Sequence, residues 1–195
     1  MIFTMSVYAE ETPNEKQARR IFDEAFQKVF GDEGASLDYK VNIFGIYKVE
    51  GSIWYKGKKQ HFVSKNEKGW NDGKLAYIVK ERKKEVLIYN PNQKSKREKN
   101  FEFKGDDYKY HIANDPNGLL ITLKAKKGVK GMKEVKALLD RHSYAPIHIK
   151  IKVGIIWANI HVANFKSGNI NEDMFIFPKS KYSQYKFVDK RNSDD

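Results

Sequence analysis

Four short extended runs between Gly51 and Pro91 limit what this chain can fold into. They are Gly51–Lys56 with Ile53, Trp54 and Tyr55, then Gln60–Ser64 with Phe62, Leu75–Val79 with Tyr77, and Val86–Tyr89. β-Branched and aromatic residues fill the runs, while Gly, Asn, Asp and Pro separate them. Asp72-Gly73 reads as a tight type I′ turn, because both central positions of that turn need φ > 0 and these residues tolerate it best. Short runs joined by tight turns predict antiparallel pairing of neighbours. The expected architecture is mainly β: an incomplete, strongly curled antiparallel barrel with an apolar concave face.

Length and composition narrow the class. At 195 residues the chain suits one domain with a substantial core, and no linker, repeat or compositional break divides residues 10–195. Aromatic residues make up 13% of the chain, which favours a sheet protein or a ring-lined binding face. Cysteine is absent, so disulfides, zinc–thiolate sites, cysteine nucleophiles and a lipid-modified N-terminal cysteine are excluded. The net charge of +12 is compatible with nucleic acid, an anionic membrane or an acidic protein as partner. It is equally compatible with solvated lysines that flank strands and blunt sheet edges.

Residues 1–9 are short and apolar, and Val7-Tyr8-Ala9 places small residues at the −3 and −1 positions of an export cleavage site. The expectation is the tail of a signal peptide beginning upstream of Met1; a frayed N-terminus is the alternative. Thr12-Pro13-Asn14-Glu15 then forms a capping box with Pro at the first helical position. Ala18, Ile21, Phe22, Ala25, Phe26, Val29 and Phe30 recur at helical spacing, and Gly31 ends the pattern. Burying that stripe stabilises by roughly 1.5–3 kcal/mol per large side chain, so the helix is expected to lie on the concave face.

Beyond the helix the period falls to two. Leu37, Tyr39, Val41 and Ile43 alternate with polar residues, and Tyr108–Ile112, Leu119–Leu123, Ile147–Val153 and Ala158–Ala163 read as further strands. Phe101–Phe103 is expected to be a short strand. Lys124–Lys133 reads as a basic link, and the stretch from Lys133 to Asp140 fits either a strand or a helix. Tyr144-Ala145-Pro146 marks a hairpin.

The order of these signals resembles the LolA-type periplasmic carriers of outer-membrane lipoproteins. The features that carry it are the helix, Gly51-Ser52-Ile53-Trp54, the Asp72-Gly73-Lys74 turn into Leu75-Ala76-Tyr77, and Met174-Phe175-Ile176-Phe177-Pro178 running on to Arg191. The resemblance spans about residues 14 to 191. It implies a half-barrel whose hollow takes acyl chains of lipoproteins, or other lipid, and delivers them to the outer membrane. It also implies a periplasmic location, an inner-membrane lipoprotein-releasing transporter and an outer-membrane acceptor as partners. Where the family often carries Arg-Pro-x-x-Phe, this chain has Lys56-Gly57-Lys58-Lys59-Gln60-His61-Phe62, so the arginine associated with cargo transfer has no counterpart.

The expected acyl-chain-binding residues are Ile21, Phe22 and Phe26 of the helix with Ile53, Tyr55, Phe62 and Tyr77 of the sheet. No cofactor, metal or nucleic acid is expected, and the chain is expected to act as a monomer. The five histidines show no metal-ligand spacing, and neither a phosphate-cradling loop nor a nucleophile elbow occurs, so an enzyme is not expected. Two alternatives remain: a sensor or interaction domain of the same fold, and a basic β-protein holding nucleic acid through Lys80–Lys84 and Lys94–Lys99.

Overall fold

The capping box forms as the sequence implies. The Glu15 N–H donates to Thr12 Oγ1 at 3.3 Å, and the Thr12 N–H donates to the Glu15 carboxylate at 2.8 Å. Helix α1 (Pro13–Phe30) runs from this cap to Gly31, whose N–H closes the last turn on the Gln27 carbonyl. The computed structural model describes residues 11–93 and 103–191. Residues 1–9 and the basic run Lys94–Lys99 lie outside the described residues. Of the expected strand at 101–103 only Phe103 is described, and it is not in a strand.

Two antiparallel meanders build the sheet. The first comprises β1 (Ala35–Ile43), β2 (Tyr47–Lys56), β3 (Lys59–Ser64), β4 (Glu67–Asn71), β5 (Ala76–Lys80) and β6 (Glu85–Tyr89). The second comprises β7 (Tyr108–Asp115), β8 (Gly118–Ala125), β9 (Met132–Leu139), β10 (Pro146–Val153) and β11 (Ile156–Ser167). They join where β11 pairs with β1, and β12 (Lys186–Asp189) adds in parallel to β6. The spatial order is β12-β6-β5-β4-β3-β2-β1-β11-β10-β9-β8-β7, a curled sheet that does not close.

The structure corrects several local expectations. A strand absent from the sequence reading, β4, pairs β3 with β5. Its Lys68-Gly69 start lacks β-forming residues, but Phe62 across the ladder supplies the missing bulk. A Cβ at Gly69 would stand 2.0 Å from the Phe62 ring, so that ring occupies the space a side chain would need. Asp72-Gly73 is not a type I′ turn, since only Gly73 has positive φ (+89°). Asp72 Oδ1 instead accepts from the N–H groups of Lys74 and Leu75, both at 2.8 Å, and holds a longer loop. The stretch at 133–140 is a strand, because Val135, Ala137 and Leu139 alternate inward at period two.

Unclosed sheets have edges, and this one covers the β7 edge with a side chain. Asn14 Nδ2 donates to the Ile112 carbonyl at 2.9 Å, and its Oδ1 accepts from the Ile112 N–H at 3.0 Å. The amide therefore copies a neighbouring strand and ties α1 to the sheet at the same point. Asn14→Ala should lower stability by about 1–3 kcal/mol, since both backbone groups of Ile112 lose a partner. Urea unfolding with an unchanged slope and a lower midpoint checks this; an unchanged midpoint would mean water replaces the amide without cost.

Candidate acyl-chain site

Strand alternation decides which residues share a face. On β1, Tyr39, Val41 and Ile43 stand beside Gly51, Val49 and Tyr47 of β2. On the other side they stand beside Val162, Ile160 and Ala158 of β11, and Ile160 and Ala158 in turn pair with Ile149 and Ile151 of β10. This inner face is the one α1 covers. Opposite it on the same strands stand Lys40, Asn42, Lys48, Glu50, Lys150 and Asn159, an outer face turned to water.

α1 covers only part of the inner face. Ala18, Ile21 and Ala25 pack on β7, β8 and β9, among them Ile121, Leu123 and Leu139. Ile21 and these three are each at most 2% exposed, so this end is filled. Further along α1, Val29 closes on Leu37 and Ile53. Beyond that contact the inner face continues as Val41, Ile43, Val49, Ile151, Ala158 and Ile160. All six are partly exposed, and none belongs to the clusters under the helix. They form an apolar floor across four strands, running from the helix to the far end of the sheet.

A row of rings runs beside the contact ridge of α1. Phe22, Phe26 and Phe30 form a row along one flank of α1, with successive centroids at 6.2 and 4.7 Å. Phe103 meets the first two, and Phe30 meets Tyr55 edge-on at 4.8 Å. Burial pushes the Tyr55 hydroxyl up to about 12, with Tyr39 adding to the shift, and burial raises Tyr39 as well. Both phenols are therefore neutral at physiological pH, so no phenolate charge faces the floor.

The sequence-predicted residues divide among three places. Ile21 sits in the filled end, and Phe22 and Phe26 lie in the flanking ring row. Ile53, Tyr55 and Phe62 gather on the inner face around Val29 and Leu37. Tyr77 is on the outer face, where its ring stacks on Phe177 at 4.3 Å and 9°. Register explains this: Tyr77 pairs with Trp70, which pairs with His61, one residue out of phase with Phe62 and Gly69.

That outer patch is a core of its own. Residues 172–185 cross the back of β3–β6 on the way to β12, and Tyr182 packs with Trp70, Val79 and Val86. Beside it His61 lies between the Trp54 and Trp70 rings at 5.1 and 4.6 Å. Burial lowers the His61 pKa against the opposing hydrogen bond to the Gly69 carbonyl, so the ring is held neutral. Lys68, Glu81 and Tyr185 form a hydrogen-bonded set at the rim, at 2.6 and 2.7 Å. Trp70, Val79, Val86 and Tyr182 are all buried in this patch.

The sequence missed the floor itself. The alternation of Val41 and Ile43 was visible, but their junction with Ile160 and Ala158 spans more than a hundred residues of chain. No local signal encodes it.

A curled, unclosed and mainly antiparallel sheet with one N-terminal helix on its partly exposed apolar inner face is the architecture of an incomplete β-barrel. No protein-family model matches the chain, and no curated protein matches it. Among solved structures it is similar to an uncharacterised conserved protein from Thermus thermophilus, with a TM-score of 0.61 at 11% identity over 89% of this chain and 99% of that one. A chain of the Pseudomonas aeruginosa MucA/MucB complex gives a TM-score of 0.50 at 7% identity, over 83% of this chain and 61% of that one. The Mycobacterium tuberculosis lipoprotein LppX gives 0.48 at 9% identity, over 82% of this chain and all of that one. At these identities the likeness is one of fold.

Among the described residues no helix is long and apolar enough to cross a membrane, and no group of three or more His, Cys, Asp or Glu is gathered to hold a metal ion.

Proposed function

We propose that this protein is a periplasmic carrier that binds acyl chains of lipoproteins or other lipids on the floor between α1 and the far end of the sheet. The supporting observation is the run Val41, Ile43, Val49, Ile151, Ala158 and Ile160, apolar and partly exposed on one face of a curled sheet. An acyl chain laid along it gains about 0.8 kcal/mol per buried methylene, so a run of several methylenes is held without any polar anchor. These six side chains carry no nucleophile and no proton-transfer group, which suits binding rather than turnover.

Hand-off differs from the pattern that the family resemblance implies. In the segment that stands in place of the Arg-Pro-x-x-Phe element, Lys56 and Lys59 both pair with Glu172. Residues 1–9 fit export, the reading in which delivery runs toward the outer membrane.

Solvent extraction of the purified protein followed by lipid mass spectrometry tests the proposal. The expected result is a co-purifying acyl lipid, and a stripped protein that binds a fluorescent long-chain fatty acid saturably. A protein that yields no lipid and binds no probe is not a carrier; the filled-core interaction domain then becomes the better reading.

A further inference from the structure

Seven large hydrophobic side chains are exposed among the described residues, and five of them stand in two neighbouring turns. The β1–β2 turn presents Phe44, Ile46 and Tyr47, which are 60%, 90% and 58% exposed. The β10–β11 turn presents Ile155 and Ile156 at 87% and 41%. Ile43 pairs with Ala158, and Val153 pairs with Ile156, so the two tips end side by side. The β1–β2 tip is held by its own turn: the Gly45 N–H donates to Asn42 Oδ1 at 2.8 Å, and the Ile46 N–H to the Ile43 carbonyl at 3.1 Å. Scattered surface hydrophobics need no explanation, but a cluster at one end of a molecule does.

The surroundings of the cluster name its partner. The β8–β9 turn comes to the same end, because Met132 pairs with Val153, and it carries exposed Lys126, Lys127 and Lys130. Lys48 flanks the β1–β2 tip. The acids at this end are partly neutralised: Glu50 lies 3.4 Å from Lys40, and Glu134 lies 3.4 Å from Lys136; at the base of the lysine turn the Lys126 N–H donates to the Asp107 backbone carbonyl. Trp157 stands just behind the tips with the Lys136 and Lys152 ammonium groups 5.5 and 5.6 Å from its ring. An apolar wedge, a tryptophan behind it and a collar of lysines are the parts that suit the boundary between water and an anionic bilayer.

We propose that this end of the half-barrel docks on an anionic lipid surface, the two tips entering the headgroup layer and the lysine turn meeting lipid phosphates. The uncovered floor opens onto the same end through Ile43, Ile151 and Ala158, so a docked molecule has its apolar groove against the bilayer.

The test is flotation of the full chain with phosphatidylglycerol-containing vesicles and with pure phosphatidylcholine vesicles, each at low and high salt. The chain should bind the anionic vesicles and release at high salt. The double variant Ile46→Asp, Ile155→Asp should bind at least tenfold more weakly. Lys126→Gln, Lys127→Gln, Lys130→Gln together should remove most of the salt dependence. Both variants lie in turns, and an unchanged melting temperature verifies the fold. Absence of wild-type binding, or equal binding by the double variant, overturns docking; so does a wild-type dimer that the double variant disrupts in place of vesicle binding. Fatty-acid probe binding is measured on the same samples. Vesicle binding without probe binding sinks the carrier reading alone, and probe binding without vesicle binding sinks docking alone.

Discussion

Ile160→Asp should abolish retention of a long-chain fatty acid while leaving the protein folded. Ile160 stands at the centre of the floor, paired with Val41 on one side and Ile149 on the other. A carboxylate there places a hydrated charge where a bound chain would lie, and the chain must give up contact on both sides of it. Losing about four methylene contacts at ~0.8 kcal/mol each removes about 3 kcal/mol of binding, roughly two orders of magnitude in affinity. The side chain is partly exposed, so the new carboxylate keeps water and the fold is spared the penalty of a buried charge. Asn159→Asp is the matched control, on the same strand but on the outer face beside Lys150 and Asn42. Titration with a fluorescent fatty acid separates the two. Equal affinity in both variants would place the acyl chain elsewhere.

What the sequence revealed and what it hid follow from the range of each interaction. The helix was legible to its cap, because Thr12, Pro13, Glu15 and Gly31 act within a single turn of their partners. The strand from Leu37 was legible because alternation is local, and the hairpin at Tyr144–Pro146 because its turn sits between the runs it joins. Three things were not. β4 escaped because Gly69 borrows its bulk from Phe62, a partner known only once the ladder is formed. Tyr77 looked equivalent to Phe62, and only the register through Trp70 and His61 shows that they face opposite ways. The floor depends on β1 meeting β11, a closure between chain segments that nothing nearby announces.

The same distinction separates the two roles of the α1 stripe, which the sequence shows as one. Ala18, Ile21, Ala25 and Val29 form the contact ridge, all at most 9% exposed, while Phe30 on the same stripe is 39% exposed. Phe22, Phe26 and Phe30 each follow a ridge residue by one position, so the helical turn of about 100° per residue sets them on the flank of the ridge. The ridge thus packs on the sheet, while the ring row stays on the flank against Phe103 and Tyr55.

Ile21→Asp should accordingly be the most damaging single change in the helix. Ile21 is 2% exposed in the cluster with Ile121, Leu123 and Leu139. The substitution loses about 2–3 kcal/mol of apolar burial and adds the cost of a carboxylate without a partner, several kcal/mol more or a raised pKa in its place. Against the 5–15 kcal/mol that holds a typical domain together, that is enough to detach α1 or unfold the chain. Ile21→Ala should cost about 2–5 kcal/mol through the cavity it leaves, so the charge and the cavity can be told apart. Phe30→Asp, at the more exposed end of the same stripe, should cost about 1–2 kcal/mol for the ring contacts with Phe26 and Tyr55 that it loses, less than either change at position 21 that empties or charges the core. Thermal unfolding followed by circular dichroism ranks the three, and because detachment exposes β7–β9, binding of a dye specific for apolar surface should rise only for the Asp at position 21. If Phe30→Asp proved as costly as Ile21→Asp, the ridge and the ring row would be one packed unit rather than two.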